Sequence, residues 1–270
     1  LELRGAVIKS ENVNLTLYAN VGKFDREVLA LARPNNPDDR LIRGLTVNQV
    51  GYQPDEYFLT RYAGVDPTNG HALYYKLDGS VTDVYSDDDN VMTGKSPYAK
   101  YEGGFGAEFN FKGFSVAADF TFKQGNYVYN YMWFNLNNDG SDDGVNQAVD
   151  QFNYWTPTNT NAENPAPLQQ TGIDSNEVSD RFLQDASFIR FRSLNIGYTF
   201  DKSVLGKLPI DKVRIFTQMQ NLAVWTKFKG DPEVGIGSGE SQTALLVPGQ
   251  FALYSYPNVR SFSFGLTVNF

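Results

Sequence analysis

The chain has 270 residues, contains no cysteine and carries a formal net charge of -8. These values exclude disulfides and thiolate metal sites, and the acidic balance argues against nucleic acid as the main partner. No stretch approaches the roughly 18 consecutive apolar residues that a transmembrane helix needs. The chain is nevertheless rich in aromatic residues and glycine, with 20 Phe, 16 Tyr and 24 Gly at a mean hydropathy of -0.39. This combination is typical of strands that have one apolar and one polar face.

The predicted elements are strands in which apolar residues take every second position. In residues 12–22, for example, Val13 and Leu15 alternate with Asn14 and Thr16. Taken in chain order, this alternation predicts about eight strands, of which the third is the weakest candidate. They are residues 1–9, 12–22, 56–65, 103–112, 114–123, 188–200, 212–225 and 261–270.

Two architectures fit this alternation, a soluble β-sandwich and a membrane β-barrel. The charged residues Lys112, Asp119 and Lys123 lie on the polar faces, and several strands reach the ten or so residues that cross a bilayer. Short turns, such as FKGF and DKSVLGKLP, alternate with long linkers, which is the pattern of outer-membrane barrels. We therefore predict an all-β, antiparallel transmembrane barrel rather than a sandwich. Its long extracellular loops are residues 66–100, 126–185 and 227–258.

The direction of each strand follows if the last segment, residues 259–270, runs down to the periplasm. The other strands then alternate in direction, and all three long loops lie outside the cell. Residues 23–55 fit this arrangement badly, because they would form a long connection in the periplasm. We therefore expect an additional hairpin there, around the segment LIRGLTVNQV.

Residues able to carry out catalysis are scarce. The single histidine, His71, lies in a segment rich in Gly and Asn, without a serine-nucleophile motif or a metal-binding helix. We therefore predict no enzymatic activity and no cofactor. Closely spaced carboxylates in a Gly-rich turn can coordinate Ca²⁺, which makes Asp139, Asp142 and Asp143 weak calcium candidates. Solvated turns are the simpler interpretation, because the full calcium-loop pattern is not present.

The segment that follows residue 126 is dense in Tyr, Trp, Phe and Asn. Aromatic faces and amide side chains suit stacking on sugar rings and hydrogen bonding to hydroxyl or peptide groups. Tyr127 and Tyr129, which lie beside a strand end, are better explained as an aromatic girdle at the membrane interface. The candidates for ligand contact are Tyr131, Trp133, Tyr154 and Trp155.

Three segments near the C-terminus resemble the last strands of SusC-like TonB-dependent transporters of the Bacteroidetes. They are DASFIRFRSLNIGYTF (185–200), QNLAVWTKFKGDPE (220–233) and YPNVRSFSFGLTVNF (256–270). The segments occur in the family's order, although KGDPE lacks a residue that is common between its glycine and aspartate. Upstream stretches, among them GGFGAEFNFKGFSVAADFTFKQGN, also resemble the family, so the resemblance spans nearly the whole chain.

The resemblance implies that the chain is the C-terminal part, about eight strands, of a plugged outer-membrane barrel of about 22 strands. Leu1 already lies in a predicted strand, with no signal peptide before it, so we expect a processed leader or a start within a longer protein. The family imports oligomeric nutrients, glycan or peptide, with TonB and a SusD-like surface lipoprotein as partners. In such a protein, Tyr131, Trp133, Tyr154 and Trp155 would contact the substrate or the lipoprotein lid.

The last strand carries a further implication of the resemblance. A terminal strand with alternating apolar residues and a final phenylalanine resembles the signal that the barrel-assembly machinery reads, and an unpaired strand edge can be passed to a partner by strand addition. The residues of this predicted signal are Phe262, Phe264, Leu266, Val268 and Phe270. Two alternatives stay open at this stage: a small outer-membrane barrel or adhesin complete in 270 residues, and a secreted glycan-binding β-sandwich.

Overall fold

The structure is a computed structural model that describes residues 1–32, 40–142, 144–173, 175–234 and 256–270. Its strands are β1 (Glu2–Lys9), β2 (Val13–Lys23), β3 (Arg40–Arg43), β4 (Thr46–Gln49), β5 (Glu56–Leu59), β6 (Arg61–Val65), β7 (Ala72–Tyr75), β8 (Val81–Thr82), β9 (Val91–Met92), β10 (Tyr101–Phe111), β11 (Phe114–Gln124), β12 (Tyr127–Tyr129), β13 (Leu183–Asp185), β14 (Phe188–Asp201), β15 (Lys212–Thr226) and β16 (Ser261–Asn269).

The helices are short: α1 (Tyr131–Leu136), α2 (Leu168–Thr171) and α3 (Lys202–Leu205), with 3₁₀ turns at Asp87–Asp89, Val149–Phe152 and Asp180–Phe182. None of the helices in the described part of the chain is long and apolar enough to cross a membrane. Most of the elements are strands, and the named strands pair antiparallel, so the prediction of an all-β, antiparallel protein is confirmed.

The long strands form one antiparallel sheet, the main sheet, in the order β1-β2-β10-β11-β14-β15-β16. Seven of the eight predicted strands lie in it, because their strict alternation gives each strand one apolar and one polar side. β10 and β11 are joined by Lys112 and Gly113, whose φ angles of 42° and 85° are those of the tight turns that suit hairpin twist. β1 and β16 are the two edge strands. A small closed barrel would require them to pair with each other, and in the described residues they do not.

The remaining predicted strand, residues 56–65, is confirmed as extended chain but not as one strand of the main sheet. The segment is divided at Thr60 into β5, which joins a small sheet in the order β3-β4-β5-β9, and β6, which joins another in the order β6-β7-β8. Tyr57 and Leu59 of β5 are buried in a core rather than exposed on one side of a sheet. The alternation of this segment therefore reflects a local core and not a place in the main sheet.

This correction also removes the difficulty with residues 23–55. β2 pairs directly with β10, so residues 24–100 form one connection, and the hairpin of β3 and β4 lies inside it at the expected segment. Because neighbouring strands of the main sheet are antiparallel, the three long connections all leave from the same end of the strands. The first, second and third connections are residues 24–100, 125–187 and 227–260.

The hydrophobic core of the described residues lies in the connections, whereas the main sheet is a single layer. The largest cluster contains Leu45, Tyr57, Leu59, Tyr129, Phe182 and Leu183, and a second cluster contains Val128, Ala186 and Phe228. By contrast, Phe264 in β16 is 83 % exposed. A β-sandwich would cover this apolar side with a second sheet, so the sandwich alternative is wrong.

Candidate functional site

All four candidates for ligand contact lie in the second connection, at the end of the strands from which the three long connections leave. Tyr131 and Trp133 lie on α1, whose first turn is capped by Asn130: its side chain accepts a hydrogen bond of 3.0 Å from the backbone N–H of Trp133. The ring of Tyr131 meets that of Tyr129 edge to face, at 5.0 Å between centroids. The ammonium of Lys229 lies 5.3 Å from the ring centroid of Trp133. Both candidates are thus half-buried supports of the core, with only part of each ring open to a ligand.

Trp155 has a different environment. Its indole N–H donates to the carbonyl of Pro67 at 3.1 Å, and its ring covers Gly70, where an added Cβ would lie 2.6 Å from the ring. Gly70 has a φ of 81°, so the turn needs glycine both for its backbone and for the ring above it. Trp155 therefore holds the second connection to the first.

Tyr154, its neighbour, lines a cavity of about 550 Å³ in the second connection. Phe152, which is 83 % exposed, lines the same cavity, together with the amides of Gln147, Gln151 and Gln169. An aromatic side chain with an unburied face beside several amides can stack on a ligand and exchange hydrogen bonds with it. Of the four aromatic candidates, Tyr154 has the surroundings most suited to a ligand.

One of the calcium candidates, Asp139, is engaged in an ion pair. Both carboxylate oxygens of Asp139 are bound by the guanidinium of Arg181, at 2.5 and 3.1 Å, and one also accepts from the hydroxyl of Ser175 at 3.0 Å. A carboxylate with these partners serves a buried ion pair. Asp142 lines the cavity next to Tyr154, and Asp143 lies outside the described residues. Among the residues that are described, no group of three metal-ligating side chains is found.

The aromatic girdle predicted at Tyr127 and Tyr129 is wrong for Tyr129, which is fully buried. Burial raises the pKa of Tyr129 far above its usual range, and burial likewise raises the pKa of Tyr62 to about 12 although Arg181 lies close by. Both phenols therefore stay neutral at physiological pH. Tyr127 packs against the same core, so these residues stabilise the connections rather than anchor a bilayer interface.

His71 pairs with Asp83 at 2.9 Å between Nδ1 and Oδ2. The hydrogen bond from His71 lowers the pKa of that carboxyl. This pair joins β7 to the turn after β8, which is the role of a loop side chain that the sequence indicated.

Several arginines that sequence reasoning missed are central to the connections. Arg190, at the start of β14, is buried and pairs with Asp231 and Glu233. Arg192 pairs with Glu233 at 2.7 Å. The segments FIRFR and KGDPE were noted only as marks of resemblance, and they are in fact ion-pair partners about 40 residues apart.

The polar side of the main sheet is also internally paired. The Tyr18 hydroxyl and the Ser193 hydroxyl both donate to the carboxylate of Asp119, the latter at 2.7 Å. Arg4 and Glu108 form an ion pair of 2.9 Å on the same side. Cross-strand pairs of this kind stabilise a sheet whose other side is apolar.

Four of the five predicted assembly residues lie on the edge strand β16, and the fifth, Phe270, follows it directly and is exposed. Phe262, Phe264 and Leu266 are exposed on its apolar side, and Val268 pairs with Val213 of β15. β16 has one partner strand, β15, in the described part of the chain.

Comparison with known proteins agrees with this architecture. No protein-family model matches the chain. A TonB-dependent receptor of Formosa agariphila, receptor P3, is 30 % identical over 206 residues, which cover 76 % of this chain and 19 % of the receptor. The TonB-dependent receptor SusC of Bacteroides thetaiotaomicron is 26 % identical over 243 residues, which cover 86 % of this chain and 21 % of SusC.

A solved structure of the RagAB peptide transporter contains a chain with the same fold, at a TM-score of 0.83 and 25 % identity, covering 99 % of this chain and 28 % of that one. A second RagAB structure, in the open-open state, gives a TM-score of 0.82 at 26 % identity, covering 100 % of this chain and 28 % of the other. The chain thus spans about a fifth of the length of the receptors it matches. In sequence and in fold, it belongs to the SusC-like TonB-dependent transporters of the outer membrane, and it represents a part of their barrel.

Proposed function

We propose that the chain forms part of the wall and extracellular rim of a TonB-dependent importer of oligomeric nutrients, either glycan or peptide. The main sheet supplies the wall, with its apolar side toward lipid, and the three long connections form the rim. TonB acts through parts of the transporter other than these strands. A SusD-like lipoprotein covers the rim.

The observation that carries this proposal is the agreement with the RagAB transporter over 99 % of the chain. The placement of the folded core supports the proposal, since the core lies in the connections at one end of the strands. A rim with its own core can present a defined surface to a ligand or a lid, because binding groups on rigid elements are held in place before the ligand arrives.

The test uses the full-length transporter that contains this chain, purified from outer membranes in mild detergent. We expect a surface lipoprotein to co-purify with it, and deletion of the gene to abolish growth on one class of oligomer while growth on the corresponding monomer continues. Solubility without detergent, or unchanged growth on both glycans and peptides, would overturn the proposal.

We propose Tyr154 as the leading substrate contact, ahead of Tyr131, Trp133 and Trp155, because it lines the cavity with the exposed ring of Phe152. Replacement of Tyr154 by Ala should weaken uptake by up to about tenfold, since stacking on one aromatic ring contributes about 0.5 to 1.5 kcal/mol. Tyr52→Ala is the matched control, because Tyr52 is an exposed tyrosine of the first connection and is not among the residues that line this cavity. Equal uptake by the two variants would remove Tyr154 from the site.

We also propose that β16 is the strand recognised by the barrel-assembly machinery. Its exposed Phe262 and Phe264 and its position at an edge of the sheet suit strand addition to a partner. Polar replacement of both phenylalanines should reduce the amount of folded protein in the outer membrane without reducing its synthesis. Normal membrane levels would contradict this assignment.

A further inference from the structure

A cluster of four charged side chains, of which Arg190 and Asp231 are buried, lies where the third connection leaves β15 and returns to β16. Arg190 pairs with Asp231 and Glu233, and Arg192 pairs with Glu233 at 2.7 Å. Arg192 also donates to the hydroxyl of Thr121 on β11 at 3.1 Å. A buried arginine needs its carboxylate partners, because an unpaired charge in this setting is strongly destabilising. The cluster therefore fixes the start of the third connection against β14.

The same carboxylate binds the other end of the connection. Asp231 accepts hydrogen bonds from the backbone N–H of Asn258 at 2.9 Å and from its side-chain amide at 3.2 Å. Next to it, the side-chain amide of Asn221 donates to the carbonyl of Val259 at 3.1 Å. β16 begins at Ser261, so the chain is anchored at two successive residues just before the strand.

Asn221 occupies a special position in the ladder. Its φ is 52°, and it lies at the irregularity where the pairing of β14 with β15 shifts, between Phe191 and Ser193. Bulges are defined features that re-aim side chains and pin register. Here the bulge turns the amide of Asn221 toward the chain that becomes β16.

A second contact restricts the middle of β16. Gly265 is paired with Phe216 of β15, and a Cβ added at Gly265 would lie 2.1 Å from that ring. If β16 slipped by two residues, Ser263 or Thr267 would take the place of Gly265 beneath the ring. A slip by one residue would turn Phe262 and Phe264 to the polar side.

We propose that these contacts set the register of the C-terminal strand. The clamp, formed by Arg190, Arg192, Asp231, Glu233 and Asn258, fixes where β16 begins, and Phe216 over Gly265 rejects a two-residue slip. The polar side of β16 is otherwise made of Ser261, Ser263, Thr267 and Asn269, whose small side chains specify register weakly. The clamp is therefore the main determinant of the register of β16 at the end of the sheet where β15 leads into the third connection.

The test is a pair of engineered disulfides, which is a clean measurement because the chain has no cysteine. Gln218→Cys with Ser263→Cys joins residues that are paired in the structure, and Gln218→Cys with Ser261→Cys joins residues that meet only after a two-residue slip. A disulfide forms only when the two Cα atoms lie within about 7 Å. Both pairs are placed in the full-length protein in outer membranes, with and without Asp231→Asn.

With Asp231 present, we expect the first disulfide to form and the second to be scarce. Asp231→Asn should raise the ratio of the slipped to the paired disulfide by about tenfold, since a hydrogen bond to a charged group contributes that much discrimination. The control is Asp150→Asn, which breaks the exposed ion pair with Lys229 of 3.2 Å but leaves the clamp intact. An unchanged ratio in Asp231→Asn would overturn the proposal.

If Asp231→Asn does not assemble, Asn258→Ala carries a smaller version of the same measurement. It removes the side-chain hydrogen bond to Asp231 but keeps the one from the backbone N–H of residue 258, and it leaves the four charged residues of the clamp paired. A raised slipped fraction supports the proposal, and a ratio equal to that of the control overturns it. The readout is strand register and not uptake, so a failure of this inference is distinct from a failure of the proposed import function.

Discussion

The main sheet and the connections handle apolar residues in opposite ways. In the sheet, Phe262, Phe264 and Leu266 point away from the protein and stay exposed, whereas Tyr57 and Tyr129 of the connections are fully buried. The sheet is a single layer between hydrocarbon and a polar interior, while the connections fold in water around a core of their own. Apolar side chains are therefore stable on the outside of the sheet but must be buried in the connections, and a given substitution has a different consequence in each part.

The largest expected effect is in the core of the connections. Phe182→Ala should destabilise the connections by about 3 to 5 kcal/mol, because the ring is almost fully buried and its loss leaves a cavity. Hydrogen exchange of the amides in β12 and β13 measures the change. Phe152→Ala, at an exposed phenylalanine, is the control and should leave exchange unchanged. Equal effects would mean that the connections have no cohesive core.

The next effect distinguishes the two sides of the sheet. Phe264→Arg should cost about 2 to 4 kcal/mol if the residue faces the middle of the bilayer. Gln218→Arg, on the polar side of the neighbouring strand, should cost less than about 1 kcal/mol, the range for surface substitutions. Urea titration of the protein folded in lipid vesicles gives both values. Similar costs would contradict the assignment of the apolar side to lipid.

A smaller effect is expected at a single glycine of the sheet. Gly265→Ala should destabilise the barrel by about 1 to 3 kcal/mol through overpacking against Phe216. Gly5→Ala provides the control, since an added Cβ at Gly5 meets no atom within 4 Å. The temperature at which folded mobility is lost on a gel compares the two. Phe216→Ala should relieve the defect of Gly265→Ala, and a failure to do so would exclude the ring as its cause.

The smallest effect is a response to acid at the clamp. Burial opposes the charge of Asp231, but hydrogen bonds from Glu233 and Asn258 and the guanidinium of Arg190 outweigh it and hold the pKa of Asp231 below its usual range. A carboxyl with a depressed folded-state pKa stabilises the fold above its unfolded pKa, and this stability is lost as pH falls through the folded value. The slipped register should therefore increase only below the ordinary range for aspartate, and hydrogen exchange of the β16 amides measures it there, because disulfides do not form at that pH. Glu233 also faces Arg190 and Arg192. Asp231→Asn is the control that should abolish the response if Asp231 is its source.

The sequence could predict the main sheet because its strands are long and each repeats the same alternation. β5 and β6 were mistaken for one such strand, since segments of four or five residues are too short to distinguish a local core from a place in a large sheet. Tyr129 was misassigned for a related reason: its alternation with Asn130 and Tyr131 is the same in a girdle and in a buried strand. Only the partners across the chain distinguish the two.

The ion pairs could not be predicted, because nothing local links their members. Arg181 and Asp139 are 42 residues apart, and Arg190 meets Asp231 only after β14 and β15 have paired. The resemblance to the family includes both segments of the clamp, FIRFR and KGDPE, but does not indicate that they bind each other. The sequence predicted that all four aromatic candidates lie in a long loop. It could not distinguish Trp155, which supports a turn, from Tyr154, which lines a cavity.

The small sheets and the core within the connections have a consequence for the import function proposed above. Segments of this length would lose much conformational entropy if they became ordered only when a ligand arrived. Because they are folded beforehand, that loss is incurred once, during biogenesis. In the import function proposed above, a nutrient would therefore bind without a further ordering cost in these segments.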